Sequence, residues 1–382
     1  MLLTIAFWSA AAFVLYAYAG YPLALWLIGL CRTRSERREF QSEAFCPTVT
    51  FVIAAHNEER RLPEKLQNTL TLEYPRSRLQ VIVASDCSTD ATDEIARSYS
   101  SDGVTLVRAT ERKGKENAQR LAVEAATGEV IVFSDVATIL QPDGVQRIVR
   151  GFADPTVGCV SSVDRFIEAD GKVSGEGAYV RYEMLLRRLE TRANTLVGLS
   201  GSFFAARRAV CTPWATDLPS DFNTVLNSVR HGLRGISDPE SVGYYRNIAD
   251  EKKEYSRKVR TVLRGISTLM RSLSLLNPWT YGLFSWQLFS HKLCRWLVPF
   301  ALLLALVSNS VLAAKNPLYL ATLSVQAVFY AAGVVGIAAP MVARAALVKI
   351  PAFFLIVNMS IVSAWWRYAK GERRTLWTPS QR

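Results

Sequence analysis

The 382 residues are enough for one large domain plus a membrane part, and their makeup, half hydrophobic and 20% charged, is separated along the chain rather than mixed. That separation argues against a uniformly soluble protein and points to one that is part soluble and part membrane-embedded. The formal net charge of +12 gathers beside hydrophobic segments, at Arg32, Arg34, Arg37 and Arg38 after the first and at Lys252, Lys253, Arg257, Lys258, Arg260 and Arg264 before the later ones. Cytoplasmic juxtamembrane loops carry charge in this way. No recognition-helix, zinc-finger or RNA-binding-sheet motif accompanies it, so nucleic acid is not an expected partner.

From Ile5 to Leu30 the sequence holds no charged residue, which is long enough for one transmembrane helix. The arginines follow this run, whereas a cleaved signal peptide carries its charge before it. Residues 1–30 are therefore expected to be an uncleaved anchor with its N-terminus outside, 31–46 a basic cytosolic linker, and the following domain cytosolic. Across 47–250, short apolar runs at Val49–Ala54, Leu79–Ala84 and Val130–Phe133 read as buried parallel strands. Thr89–Ser100 and Lys115–Thr127 read as helices, the second closed by Gly128 as a C-cap. Strand and helix in alternation predict an α/β, doubly wound sheet that binds its ligands at the carboxyl ends of its strands.

Residues 251–295 are expected to form basic interfacial helices, and 296–368 hydrophobic ones built on Trp296–Ala314, Leu318–Ala339 and Ala345–Trp366, before a basic tail at 369–382. Three full spans there put Arg367, Lys370, Arg373 and Arg374 outside, against the positive-inside rule. The last stretch contains Lys349 and Pro351 and ends in Trp365 and Trp366, so a span and an interfacial helix both remain open for it. Six cysteines, at 31, 46, 87, 159, 211 and 294, show no zinc or redox spacing, the pattern of free thiols in a reducing compartment.

The chemistry-bearing residues cluster where the strands end. The first strand runs into His56-Asn57-Glu58-Glu59, and the second into Asp86-Cys87-Ser88-Thr89-Asp90. Asp86 is suited to accept hydrogen bonds from a base or ribose; Ser88 and Thr89 are equally good helix N-cap residues. Asp135 closes the third run, where an ionised carboxylate needs a cation, a donor or water. A divalent ion carrying a nucleotide diphosphate would meet that need, and a turn cap is the plainer alternative.

The order and spacing of Ala55-His56-Asn57-Glu58, Ser85-Asp86-Cys87-Ser88-Thr89-Asp90, Arg112-Lys113-Gly114-Lys115, Ser134-Asp135-Val136-Ala137, Gly198-Leu199-Ser200-Gly201 and Ser220-Asp221-Phe222 resemble inverting glycosyltransferase family 2. The membrane-bound bacterial exopolysaccharide members related to cellulose and hyaluronan synthases are the most similar type. The resemblance extends through Ser290-His291-Lys292-Leu293-Cys294-Arg295-Trp296 to Gly371-Glu372-Arg373-Arg374. It implies a GT-A-like nucleotide-sugar-binding domain, a UDP- or GDP-sugar donor, Mg²⁺ or Mn²⁺, a lipid-linked or glycan acceptor, and a multi-pass enzyme of the cytoplasmic membrane.

By the same resemblance Glu58 and Asp86 bind the nucleoside, Lys115 lies near the nucleotide, and Asp135 is the metal-motif acid. Asp221 is the general base, with a helix cap ahead of Val225–Val229 as its alternative role, and Ser200 and Gly201 shape the acceptor side. Two positions depart from the family pattern: Ala137 replaces a second acid or Asn, and Ser220 precedes Asp221 where another acid is usual. In place of the processive synthases' glutamine-arginine-tryptophan motif stands Arg257-Lys258-Val259-Arg260-Thr261. Arg260 fits that motif's arginine, a diphosphate ligand, but the aromatic platform is missing, which implies transfer of a single sugar. Ala137 and Ser220 also keep open a non-catalytic family member that binds a nucleotide sugar or supports a membrane assembly. Nucleotidyl transfer would require a glycine-rich loop after the first strand, where His56-Asn57-Glu58-Glu59-Arg60 stands instead.

Overall fold

The structure, a computed structural model, describes residues 1–32, 45–167, 178–246, 251–339 and 345–373. Arg34, Arg37, Arg38, Arg374 and most of the expected 31–46 linker and 369–382 tail lie outside the described residues. The chain divides into two compact units, one of residues 1–24, 250–269 and 286–373, the other of residues 25–249, 270–285 and 374–382. The chain opens with α1 (Leu2–Leu15), a π-helical stretch (Tyr16–Gly20) and α2 (Tyr21–Cys31).

The larger unit is built on an eight-stranded mixed sheet in the order β3-β2-β1-β4-β7-β6-β8-β5. Its parallel half contains β1 (Val49–Ala55), β2 (Leu79–Ser85), β3 (Val104–Arg108) and β4 (Val130–Asp135). β1, β2 and β4 are the three runs expected from the sequence. All seven β1 residues are buried, because helices cover both faces of a parallel sheet and the strand has no polar side to show. The helices of this half are α3 (Leu62–Leu70), α4 (Thr92–Ser98) and α5 (Lys115–Glu124).

The other half adds β5 (Ile139–Leu140), α6 (Gly144–Arg150), β6 (Val157–Ile167), α7 (Ala178–Ala193), β7 (Phe203–Arg207), α8 (Ser220–Arg230) and β8 (Arg234–Arg246). β7 runs antiparallel to both β4 and β6, and β8 parallel to β6. The α/β fold is thus as expected, its parallel half extended into a mixed sheet by the antiparallel β7. Phe51, Ile53, Val83 and Val132 pack with Leu62, Leu66, Val145 and Ile148 as one core.

Gly128 does not cap α5, contrary to expectation: the C-cap is Ala125. Its role is close approach. A Cβ there would stand 2.6 Å from the Val49 carbonyl carbon and would also press on the Thr50 nitrogen, while its own N–H donates to Thr50 Oγ1 at 2.9 Å.

The second unit is helical. α9 (Glu251–Arg271) buries Val259, Leu263 and Ile266, and a Cβ on its Gly265 would lie 2.8 Å from the Trp296 ring. After α10 (Leu283–Leu288) and a π-helical stretch (Phe289–Cys294) come α11 (Arg295–Ala313), α12 (Pro317–Ala338) and α13 (Ala346–Ala369). Tyr255 hydrogen-bonds Ser363 at 2.8 Å, and Lys258 lies 5.1 Å over the Phe353 ring. Four helices, Leu2–Cys31, Leu283–Ala313, Pro317–Ala338 and Leu347–Ala369, are long and apolar enough to cross a membrane. The second begins well before the expected Trp296, because the helix continues through the polar His291, Lys292 and Arg295 by way of its π stretch.

Gly128→Ala is expected to destabilise the sheet unit by about 1–3 kcal/mol or more, since the methyl group meets backbone that cannot step aside. The check is the melting temperature in detergent: a value within a degree of wild type contradicts the close-approach role.

Candidate active site at the carboxyl edge of the parallel strands

The loops after β1 and β2 are bound to each other before they bind anything else. Asn57 and Cys87 hold the left-handed conformation, with φ of 53° and 54°, rare for residues with a side chain and more accessible to Asn than to most. The strain is offset by cross-loop hydrogen bonds. Thr89 N donates to Asn57 Oδ1 at 2.8 Å and Glu58 N to Thr92 Oγ1 at 2.8 Å. His56 Nδ1 lies 2.8 Å from the Asp86 carbonyl, and Asn57 N donates to Ser88 Oγ at 3.2 Å. Ser88 and Thr89 thus clamp one loop to the other, and α4 starts only at Thr92, three residues after the expected Thr89.

Asp86 is fully buried. Its two carboxylate oxygens accept from Lys113 N at 3.0 Å and Gly114 N at 2.9 Å. Gly114, at φ 102° and ψ 169°, takes a backbone conformation that only glycine adopts freely, and Lys115 follows as the first residue of α5. The Lys115 ammonium makes an ion pair with Asp135 Oδ1 and donates to the Gly201 carbonyl at 3.0 Å. Asp135 ends β4, and its N–H donates to the Ser202 carbonyl at 2.9 Å.

Asp221 reaches the same short segment from the other side. It sits in the first turn of α8, where a carboxylate suits the helix dipole, and its Oδ1 accepts from Phe222 N at 2.8 Å. A Cβ on Gly201 would stand 3.0 Å from its Oδ2, so the absence of a side chain at 201 is what lets the carboxylate approach. Leu199 N donates to the Asp221 carbonyl at 3.3 Å. Lys115, Asp135 and Asp221, far apart in sequence, therefore converge on residues 199–202, which include Ser200 and Gly201. Glu58 is buried, and its pKa is raised, chiefly by burial, against the lowering influence of Arg61 and with further raising by Asp135 and Asp90. Arg260 lies on α9, in the helical unit.

Two residues that sequence reasoning passed over also stand here. Lys65 is completely buried under the end of β4, donating to Ser134 Oγ at 2.7 Å and to the Thr138 carbonyl at 2.6 Å. Helical spacing held its signal, since Leu62, Lys65, Leu66 and Thr69 share one buried face. Asp164 on β6 accepts hydrogen bonds from the hydroxyls of Ser200 and Ser202 through one oxygen. Nothing in its run of sequence marked it. Among the described residues no group of three His, Cys, Asp or Glu side chains is placed to hold a metal ion. At the expected place Asp135 offers a single carboxylate, already paired with Lys115, and Ala137 offers no oxygen. A single carboxylate fits an ion that takes its remaining ligands from a substrate diphosphate and water.

A family model described as "Glycosyl transferase family 2" matches residues 50–212, which include β1, the Asp86 loop, Lys115, Asp135 and the 199–202 segment. That stretch of the chain is similar to glycosyltransferase family 2. Poly-β-1,6-N-acetyl-D-glucosamine synthase of Staphylococcus aureus (strain COL) is 26% identical to the chain over 178 residues, 44% of this chain and 42% of that protein. The Staphylococcus epidermidis enzyme of the same name is 24% identical over the same shares. The chain thus spans less than half the length of these relatives. A mannosyltransferase from Pyrobaculum calidifontis, solved with GDP-Man and Mn²⁺, superposes with a TM-score of 0.72 at 23% identity, covering 97% of this chain and 100% of that one. The sheet unit accordingly has the GT-A fold, and the chain also carries long apolar helices.

Burial of Lys65 lowers its pKa to about 7, against the raising influence of Asp135. The folded-state value then lies below the unfolded value near 10.4, so the charged form is penalised in the folded state. That penalty is complete below about pH 7 and is relieved as pH rises towards 10. Stability is expected to rise over that window by at most about 1.4 kcal/mol per pH unit, and the rise to be smaller in Lys65→Met. Parallel pH profiles of melting for the two chains refute this.

Proposed function

We propose that the chain is a membrane-bound inverting glycosyltransferase that moves one sugar from a nucleotide-diphosphate sugar to a polyprenyl-linked acceptor in glycan synthesis. The observation that carries the reading is the convergence of Lys115, Asp135 and Asp221 on residues 199–202 at the carboxyl edge of the parallel strands, the edge where α/β sheets bind their ligands.

In this reading the nucleoside lies against the β1 and β2 loops, with Glu58 and Asp86 as its acids. Asp86, already saturated at both oxygens by backbone N–H groups, acts mainly by fixing the 113–115 turn under the nucleotide. Lys115 offers its ammonium to the diphosphate, exchanging it for part of its bond to Asp135. Asp135 would also hold Mg²⁺ or Mn²⁺, which when bound supplies charge neutralisation for the departing diphosphate. Arg260 is proposed as a further charge-assisted ligand of the same group.

Asp221 accepts the proton of the acceptor hydroxyl. The hydroxyl oxygen attacks the anomeric carbon from the face opposite the phosphate; the bond from that carbon to the phosphate oxygen breaks, and configuration inverts. Such a base depends first on position, and the absence of a side chain at Gly201 is what lets Oδ2 stand against residues 199–202. The candidate spans favour a lipid-linked acceptor, since anchoring confines enzyme and acceptor to one surface. We also propose that the spans lie in the cytoplasmic membrane with the sheet unit in the cytosol. Single-sugar transfer rests on the absence of the processive motif at residues 257–261.

A second reading, a family member that binds a nucleotide sugar without turning it over, is favoured by Ala137 and by the ion pair that already occupies Asp135. Asp221→Asn separates the two. The catalytic reading expects nucleotide release, and transfer of radiolabelled sugar into lipid extract, to fall by roughly 10²–10⁴-fold with donor affinity unchanged. Equal turnover in variant and wild type, or none in wild type with any donor, contradicts it.

A further inference from the structure

Residues 199–202 are held by two sets of partners, all within the larger unit. One set is the candidate site itself. Lys115 donates to the Gly201 carbonyl at 3.0 Å, Asp135 N donates to the Ser202 carbonyl at 2.9 Å, and a Cβ on Gly201 would face Asp221 Oδ2. The other set is a polar frame on β6 and α7. Asp164 Oδ1 accepts from Ser200 Oγ and from Ser202 Oγ, the latter at 2.8 Å. Ser161 Oγ accepts from Ser200 N at 2.8 Å, and the Arg187 guanidinium donates to the Leu199 carbonyl at 3.3 Å, to Ser161 Oγ at 3.3 Å and to the Ser162 carbonyl at 3.4 Å.

Within this frame Asp164 has a particular place. The two serines it holds flank Gly201, and their hydroxyls lie 2.9 Å from each other, so one carboxylate oxygen gathers both neighbours of the glycine. A glycine samples more backbone conformations than any other residue unless its surroundings fix it. Gly201 is also the residue whose carbonyl receives Lys115 and whose bare Cα admits the Asp221 carboxylate. Hydrogen bonds to a carboxylate are roughly twice as strong as neutral ones, and the half-buried Asp164 makes both of them. Among the described residues these two hydroxyls are its hydrogen-bond partners.

We propose that Asp164 is a positioning residue of the candidate active site. By holding Ser200 and Ser202 it sets the backbone of Gly201, and through Gly201 the standing of Asp221 and Lys115 at the segment. Asp164 thus acts through other residues, not on the substrate. The placement does not depend on the function proposed above; its effect on turnover does, since it is there that Asp221 is the base.

Two measurements on the full chain in detergent test this, with Asp164→Ala and with Asp164→Asn, which keeps an oxygen for the two hydroxyls. The first is hydrogen exchange. The amides of 199–202 are expected to exchange at least about tenfold faster in Asp164→Ala than in wild type, those of β1 and β4 to keep their rates, and Asp164→Asn to restore most of the protection. Unchanged exchange at 199–202 in Asp164→Ala overturns the proposal. Should that variant unfold, Ser202→Ala, which removes one hydroxyl and no charge, carries the same comparison.

The second is kcat for turnover of a nucleotide sugar. Asp164→Ala is expected to lower it by roughly 10–100-fold, the scale of loss when a positioned group shifts by about 1 Å. In an Asp221→Asn background the loss is expected to be smaller by at least about threefold, because residues that act through one another do not add. A residue that only supports the fold costs the same factor in both backgrounds. That result, or wild-type kcat in Asp164→Ala, overturns the proposal. A wild-type chain that turns over no nucleotide sugar refutes the function proposed above, and hydrogen exchange then decides the placement by itself.

Discussion

The Lys115 ammonium, shared between the Asp135 carboxylate and the Gly201 carbonyl, is the contact on which the candidate site depends. It fastens the start of α5, on the parallel half of the sheet, to the segment entering β7, on the antiparallel half. Asp86 sets the preceding turn from below, and Asp221 reaches the same segment from α8. A nucleotide diphosphate brings at least two negative charges to this place. In the proposed chemistry it competes with Asp135 for a lysine that is already positioned, so little reorganisation is needed when it binds.

Much of the parallel half was legible in the sequence, for a definite reason. β1, β2 and β4 are buried on both faces, so each reads as an unbroken apolar run, and the acids at their ends mark where the burial stops. β3, at the sheet edge and only partly buried, leaves no such run. β6 and β8 contain Asp164 and Ser237, whose partners Ser200, Ser202 and Thr191 are distant in sequence, and no local pattern foretells a parallel pairing of those two strands. Gly128 was misread because a glycine after a helix has two uses, a left-handed cap or room for another backbone, and only the position of β1 separates them. Lys65 was missed although its spacing put it on the buried face of α3. A lysine there reads as a solvated residue until Ser134 and the Thr138 carbonyl are seen to receive it.

The site residues divide in the same way. Glu58, Asp86, Lys115, Asp135 and Asp221 were visible through family resemblance, whereas the hydrogen bonds that give them their setting arise only from the tertiary fold. The ion pair on Asp135 is the clearest case. The sequence shows an acid without its usual neighbour at Ala137; the structure shows that acid paired with a cation of the protein's own. The membrane helices follow a similar rule. Their lengths are largely evident from composition, except that the second begins before the expected Trp296, while the packing of Tyr16–Gly20 against Phe289–Cys294 emerges only from the tertiary fold.

The account stands on a nucleotide-sugar site at the carboxyl edge of β1, β2 and β4. Calorimetric titration of the full chain in detergent with UDP- and GDP-sugars in the presence of Mn²⁺, for wild type, Asp86→Ala and Asp135→Asn, tests it most directly. One equivalent of a single donor class should bind to wild type, and each substitution should weaken it by about 10–100-fold, the loss expected for hydrogen bonds to charged groups. Undiminished binding in both variants, or no binding of either donor class to wild type, would contradict it.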